Sequence, residues 1–320
     1  MGALITDRPA RSIRVERPAS AMSDRPGVRA KLGAYVALTK PRIIGLLLIT
    51  TVPAMILADQ GMPSLWLIAA TVIGGTLAAG GANAINCVID RDIDALMHRT
   101  QGRPLPMGIV DPASAMVFAL VLEAIAFALL WTTSNLLAAS LAVAATAFYV
   151  FIYTLWLKRR SPQNIVIGGA AGAFPPLVGW AAVTGNVSVE AAILFAIVFF
   201  WTPPHFWALA IKYRDDYGRA NVPMLPVVAT LDATKKQIFW YAVALVPVSL
   251  SLVATGSVSW IYAAAAAVLG LAFVRQTWLL RKDEAPGGAT PTAAMSVFKA
   301  SIYYLALLFP AIALDQLLLG

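Results

Sequence analysis

Apolar runs of about twenty residues recur along this chain, and twenty is the length a helix needs to cross the hydrocarbon core of a bilayer. With soft boundaries they fall near 43–58, 65–87, 113–132, 136–157, 164–184, 189–211, 237–256, 259–280 and 299–319. Composition agrees: 59% of residues are hydrophobic, 12% are charged, and the mean hydropathy is +0.75. Soluble domains carry a smaller apolar fraction. The expected fold is an all-α polytopic membrane bundle of about nine transmembrane helices around a central cavity open to the cytoplasm. It occupies residues 38–320 as one domain, behind a disordered cytoplasmic tail over 1–37 that ends in a short interfacial segment.

The charges orient the bundle. All 24 Lys and Arg lie in the N-terminal segment through Arg42 or flank the connections after spans 2, 4, 6 and 8. The opposite connections, Asp59–Ser64, Thr133–Asn135, Gly185–Ser188 and Gly256–Ser259, have none. Positive charge marks the cytoplasmic side, so the N-terminus is expected there and the C-terminus outside. The net charge of +8 is read as this topology signal, not as nucleic-acid binding. The tail is rich in Arg and Pro and lacks the apolar stretch of a signal peptide. Its Asp7, Glu16 and Asp24 are out of place in a mitochondrial transit peptide, which favours a bacterial inner membrane over a mitochondrial one. The single cysteine, Cys87, excludes an intramolecular disulfide and a multi-cysteine metal site.

Chemistry is concentrated on the cytoplasmic side. Asn86, Asp90 and Asp94 stand four residues apart at the end of span 2. On a helix they share one face, drifting about 40° per step. Asp92 lies between the two spaced acids. Three aspartates so close repel one another unless a cation compensates. A face of oxygen ligands suits Mg²⁺, and Mg²⁺ suits a diphosphate. Arg99 and Arg103 follow and can hold phosphate oxygens. A second acidic pair, Asp215-Asp216, follows span 6, with Asp216 as the expected third metal residue. An interfacial anchor explains the Tyr, Lys and Arg around that pair, but not the two acids.

His205 lies inside span 6, and an ionisable group there is a functional candidate. His205, Lys212 and Asp216 are expected on one helical face. Pro203-Pro204 is expected to break or bend that helix, and Pro175-Pro176 to kink span 5. The Gly-rich stretches of spans 2 and 5 are expected at close helix contacts. His98 reads as a surface residue. Glu123 and Glu190 are placed near span ends, without a role.

These residues match a known pattern. The stretches Leu38-Thr-Lys-Pro-Arg42, Asn86 through Arg103-Pro104, Tyr153-Thr-Leu-Trp-Leu-Lys158-Arg159-Arg160, Ser161-Pro-Gln-Asn164 through Pro175-Pro176, Trp201-Thr-Pro-Pro-His205-Phe206-Trp207 and Asp215-Asp216-Tyr217 through Pro226 resemble the UbiA superfamily of intramembrane prenyltransferases, and within it the haem-directed branch. Two departures stand out. Cys87 replaces an Asp of the broad superfamily pattern, and Asp92, which leaves the helix about 160° from Asp94, is the one local substitute. Lys212 replaces the first Asp of the second motif.

The resemblance implies transfer of a farnesyl group from farnesyl diphosphate to a vinyl group of haem B, giving haem O, with Mg²⁺ as cofactor. It implies catalytic roles for Asn86, Asp90, Asp94, His205, Lys212, Asp215 and Asp216, and substrate contacts from Arg42, Arg99, Arg103, Lys158, Arg159, Asn164, Trp201 and Trp207. Trp201, Phe206 and Trp207 are expected to line one dry aromatic pocket. For His205 three roles stay open: orienting the haem, ligating its iron, or accepting a proton. Lys158, Arg159 and Arg160 pair with haem propionates or simply anchor the cytoplasmic face. The implied partners are haem B, farnesyl diphosphate, membrane lipid, and a haem A synthase or terminal oxidase that receives the product. Alternatives are a quinone-type or chlorophyll-type acceptor, or a transporter with broken helices, against which the cytoplasmic-edge position of the acids argues.

Overall fold

The computed structural model describes residues 27–284 and 291–319, and every regular element among them is helical. Helix α1 (Val28–Thr39) leads into α2 (Pro41–Asp59), α3 (Leu65–Ile89) and the short α4 (Arg91–Leu96). Then come α5 (Pro112–Thr133) and α6 (Leu136–Ala147), which continues as a π-helical segment, Phe148–Leu157. The fifth span is built from α7 (Asn164–Gly168), a 3-10 stretch (Gly169–Ala173) and α8 (Phe174–Thr184). It is followed by α9 (Val189–Lys212), α10 (Arg214–Arg219), α11 (Leu225–Val228), α12 (Leu231–Leu250), α13 (Trp260–Arg281) and α14 (Pro291–Leu319). Eight spans among the described residues are long and apolar enough to cross a membrane, and α2 makes the ninth helix of the bundle.

Local chemistry places the breaks. On the cation-free side each connection is a tight turn closed by a polar cap. Ser64 accepts from the Leu67 N–H, Asn135 from Ala138, Ser188 from Ala191 and Ser259 from Ile261. Each satisfies one of the orphan N–H groups that begin a helix. The chain leaves α8 through Gly185, at φ +69°, a left-handed conformation that glycine adopts without strain. The cationic side carries the longer connections, which contain α4, α10 and α11.

Packing follows from these elements. Helix α3 lies along α5, α2 packs on α8 and α14, and α9 is held between α12 and α14. The largest core cluster joins α9, α12, α13 and α14 through Leu194, Ile197, Leu245, Phe273 and Phe309. A second joins α1, α3 and α5 through Leu38, Ala84 and Ala115. Among the glycines, Gly168 shows why a small residue is needed: a Cβ there would sit 2.3 Å from Cδ2 of Tyr153.

Four expectations change. Helix α1 begins at Val28, so the folded part starts ahead of residue 38, and Ala34 and Leu38 are buried; residues 1–26 of the expected tail lie outside the described residues. Helix α9 runs unbroken through Pro203-Pro204, because the neighbouring helices hold the segment although two N–H donors are missing. Pro175-Pro176 begins α8 instead of kinking a longer helix; in a first turn a proline gives up no hydrogen bond. Glu123 lies near the middle of α5, not near its end, and its carboxyl accepts from Thr146 Oγ1 at 3.1 Å.

Candidate active site

The acidic row survives the end of its helix. Asp90 caps α3 at φ −88°, ψ 5°, and α4 begins at once. The Asp90 N–H still donates to the Asn86 carbonyl at 2.9 Å, and the Asp94 N–H to the Asp90 carbonyl at 2.8 Å. The four-residue register therefore crosses the junction, and Asn86, Asp90 and Asp94 are all buried. Asp92 leaves the opposite side. It is exposed, and Arg159 grips it with two bonds of 2.7 and 2.6 Å, which hold its carboxyl below the usual range. It does not stand in for the carboxylate missing at Cys87.

Each buried carboxylate meets a cation. Asp90 pairs with Lys158, and the same oxygen, Oδ2, accepts from Asn86 Nδ2 at 2.7 Å. Its other oxygen, Oδ1, is buried without a hydrogen-bond partner. Asp94 takes Arg103 Nη1 at 2.7 Å. Lys40 donates to Asn86 Oδ1 at 2.9 Å, and Asn86 Nδ2 also reaches Thr154 Oγ1 at 3.1 Å. Lys40 stands at the turn between α1 and α2 in a left-handed conformation, φ 53°. Burial lowers its pKa, and the nearby Arg103 and Lys158 act the same way. Three cations thus crowd around one acidic row.

The π-helical segment supplies the facing wall. Its wider turn is sealed by a bond from the Lys158 N–H to the Tyr153 carbonyl, five residues back, at 2.8 Å. Such turns are rare and often mark functional sites. Thr154 and Lys158 from this segment touch Asn86 and Asp90, while Tyr149 and Tyr153 stack with centroids 5.4 Å apart. Asn164, at the start of α7, is fully buried; its amide bonds the Lys158 carbonyl at 3.5 Å and its Oδ1 has no hydrogen-bond partner. Beside the acidic turn, Ile89, Arg91, Asp92, Leu155 and Arg159 line a groove of about 430 Å³.

The second acidic segment reaches the first through its loop. Asp216 accepts from the backbone N–H groups of His98 and Arg99, both at 3.3 Å, and pairs with Arg219. Arg99 donates to the Tyr217 hydroxyl at 2.8 Å and lies over the Tyr213 and Tyr217 rings. Asp215 and Lys212 are exposed, and the Lys212 ammonium sits 5.4 Å from the Tyr213 ring centroid. Of the expected face of His205, Lys212 and Asp216, only His205 and Asp216 are buried; Lys212 is exposed, at the junction where α9 passes through Tyr213 into α10.

His205 belongs to another environment. It lies between α9 and α14, with its ring 4.3 Å from Trp201 and 4.6 Å from Phe298. Its Nδ1 is 2.8 Å from Ser301 Oγ. That hydroxyl donates to the Phe298 carbonyl at 2.6 Å, so the ring nitrogen is the donor in the Nδ1–Ser301 pair. Trp201 donates to the Ser301 carbonyl at 2.7 Å, whereas Trp207 packs on Tyr241 with its indole N–H buried and unbonded. Phe206 is 37% exposed, so these three aromatics do not line one pocket. The side chain of Arg42 lies outside the described residues.

Sequence reasoning missed Lys40, Tyr149, Tyr153, Thr154 and Arg219. The Tyr153-to-Arg160 stretch was a visible signal for two of them. No three His, Cys, Asp or Glu side chains among the described residues converge on one ion position. The donor set still fits Mg²⁺, which is commonly held by one or two carboxylates and completed by substrate phosphate oxygens. The buried, unbonded Asp90 Oδ1 is such a donor.

Comparison with known proteins gives a consistent picture. A model described as the UbiA prenyltransferase family matches residues 47–302. A protein of Frankia alni named protoheme IX farnesyltransferase is 53% identical over 286 residues, covering 89% of this chain and 98% of that one. Among solved structures, a digeranylgeranylglyceryl phosphate synthase aligns with TM-score 0.73 at 19% identity, covering 89% of this chain and 98% of that one. A UbiA homolog from Archaeoglobus fulgidus, bound to GPP and Mg²⁺, aligns with TM-score 0.58 at 16% identity over 87% of this chain and 99% of its own. These two structures share the fold.

Proposed function

Because the chain belongs to the UbiA prenyltransferase family, we propose that it transfers the farnesyl group of farnesyl diphosphate to a vinyl carbon of haem B, giving haem O. The observation that carries this reading is the buried Asn86–Asp90–Asp94 row ringed by Lys40, Arg103 and Lys158, in a chain 53% identical to a protein named for that reaction.

Asp90 and Asp94 are the residues to hold Mg²⁺, with Asp216 ordering the loop between the two acidic segments. Mg²⁺ held by Asp90 and Asp94 would supply charge neutralisation for the departing diphosphate. Lys40, Arg103 and Lys158 take phosphate oxygens by charge-assisted hydrogen bonds. The stacked Tyr149 and Tyr153 rings, on the same helical segment that brings Thr154 to Asn86, offer π faces to the allylic cation. The vinyl group attacks that cation, and water then completes the hydroxyethylfarnesyl side chain. His205, held by its Nδ1 bond to Ser301, is suited to ligate the haem iron, orient the ring or accept a proton. The helices from Val28 onward form the catalytic domain. Its site faces the cytoplasm of a bacterial inner membrane, and a haem A synthase or terminal oxidase receives the product.

Detergent-solubilised protein, given haem B and farnesyl diphosphate with Mg²⁺, should form haem O detectable by mass. Prenylation of a quinone ring in place of haem under the same conditions would replace this reading with its nearest rival. Reporter fusions at Arg160 and Gly185 should fall on opposite sides of the membrane, with Arg160 cytoplasmic.

A further inference from the structure

We propose that the acidic row is locked by the chain's own cations and opens only to a metal ion that arrives together with a diphosphate, Lys158 passing from Asp90 to the phosphate as it does. This rests on the reading of Asp90 as a metal residue and adds to it an order of binding and a role for Lys158.

Three observations lead there. First, all three candidate carboxylates are already compensated: Asp90 by Lys158, Asp94 by Arg103, and Asp216 by Arg219 with two backbone N–H groups. A bare divalent cation would have to settle beside an ammonium and a guanidinium of its own sign. Second, no three acidic, His or Cys side chains among the described residues converge, so the protein alone offers no cage for an ion. Third, Asp90 is split. Oδ2 accepts from Lys158 and Asn86, while Oδ1, in a side chain 1% exposed, has no hydrogen-bond partner, with Arg159 Nη2 3.7 Å away. One oxygen is thus ready for a metal while the other holds the lock.

Metal alone must either sit on Oδ1 beside the Lys158 ammonium or displace it and leave that ammonium, whose side chain is 11% exposed, without an anion. That is strongly unfavourable in a buried site. A diphosphate removes the difficulty. It gives Lys158 a new anion, adds oxygens that complete the metal's shell, and screens Arg103 and Lys40 from the ion. The number of ion pairs is conserved, and Asp90 exchanges a lysine for a metal. The two ligands must then raise each other's affinity by the same factor, since linkage is reciprocal. Couplings of this kind are ordinarily about 5- to 150-fold.

The test uses the full chain in detergent and two probes. Mn²⁺ is titrated alone by electron paramagnetic resonance, and radiolabelled inorganic diphosphate is titrated with and without Mg²⁺. The parent should bind Mn²⁺ alone weakly, and Mg²⁺ should tighten diphosphate binding within that range. Lys158→Met should bind Mn²⁺ alone more tightly than the parent and show little coupling, while Lys158→Arg should keep the coupling. Tight Mn²⁺ binding by the parent without diphosphate, unchanged in Lys158→Met, overturns the lock; if Asp90→Asn then abolishes that binding, the metal reading stands without it. If Asp90→Asn leaves both titrations as in the parent, the metal reading falls and the lock with it.

Discussion

The Asp90–Lys158 pair can be examined by a double-mutant cycle that separates folding from chemistry. The carboxylate side chain is 1% exposed and the ammonium 11%, so each is a buried charge that depends on the other. Removing one partner of a buried pair costs about 3–5 kcal/mol, because the remaining charge is stranded. For Asp90→Asn the lower end applies, since the new amide oxygen can still accept from Lys158. With an unfolding entropy of about 2.1 cal/mol/K per residue, 3 kcal/mol in a chain of this size lowers Tm by about 5 °C. Lys158→Met should cost as much, by stranding Asp90. The double variant strands nothing, and replacing a buried ion pair by neutral groups of similar size is often neutral. It should therefore lie within about 1 kcal/mol of the parent, where independent sites would sum to roughly 6 kcal/mol. Thermal unfolding in detergent reads the cycle, and haem O formation is assayed on the same samples. All three variants should be inactive, including the stable double. Additive stabilities would refute the coupling, and an active double variant would refute the catalytic reading of the pair.

Three further outcomes follow from neighbouring geometry. Burial lowers the Lys40 pKa, so rising pH discharges this ammonium before a lysine in water; farnesyl diphosphate affinity should fall at a pH below the ordinary lysine range, and Lys40→Arg, whose guanidinium stays charged, should move that limb upward in a pH–KM series. Gly168→Ala puts a methyl group into the Tyr153 ring and should cost about 1–3 kcal/mol together with activity, whereas Gly172→Ala, with nothing within 4 Å of its Cβ, should change neither in unfolding and turnover assays. Ser301→Ala frees the His205 tautomer and should slow haem transfer while leaving farnesyl diphosphate affinity near the parent's, which separate titrations of the two substrates will show.

Much of this was legible in one dimension. A spacing of four is a helical property, so the burial of Asn86, Asp90 and Asp94 on one side follows from their positions alone. The span count follows from apolar run length in the same way. What the sequence hides are contacts between distant positions: Lys40 meets Asn86 from 46 residues away, and Thr154 meets it from 68. Two errors were local. The face joining His205 to Asp216 placed Lys212 inside the site, where the fold leaves it exposed at the end of α9. The aromatic trio ignored that Phe206 and Trp207 lie about 100° apart around α9, so one is partly exposed while the other is buried.

The irregular backbone explains why the site lies where it does. Lys40 occupies a left-handed turn between two helices, Asp90 a helix cap, Lys158 the end of a π-helical segment, and Asp216 a short helix capped by Tyr213. A regular transmembrane helix projects its side chains from a smooth cylinder and fixes their spacing. It cannot bring cations from three elements onto one short acidic row. Each departure from regularity re-aims one side chain by a fraction of a turn, and all four occur at the cationic end of the bundle. There, water and side chains can satisfy backbone groups that the bilayer core would leave unpaired. Lys158 shows the consequence most directly. The five-residue bond from its N–H to Tyr153 closes the π-helical segment, and there Lys158 turns inward to Asp90 while the adjacent Arg159 reaches outward to Asp92. Two consecutive basic residues thereby take opposite tasks, one inside the site and one on the groove beside it.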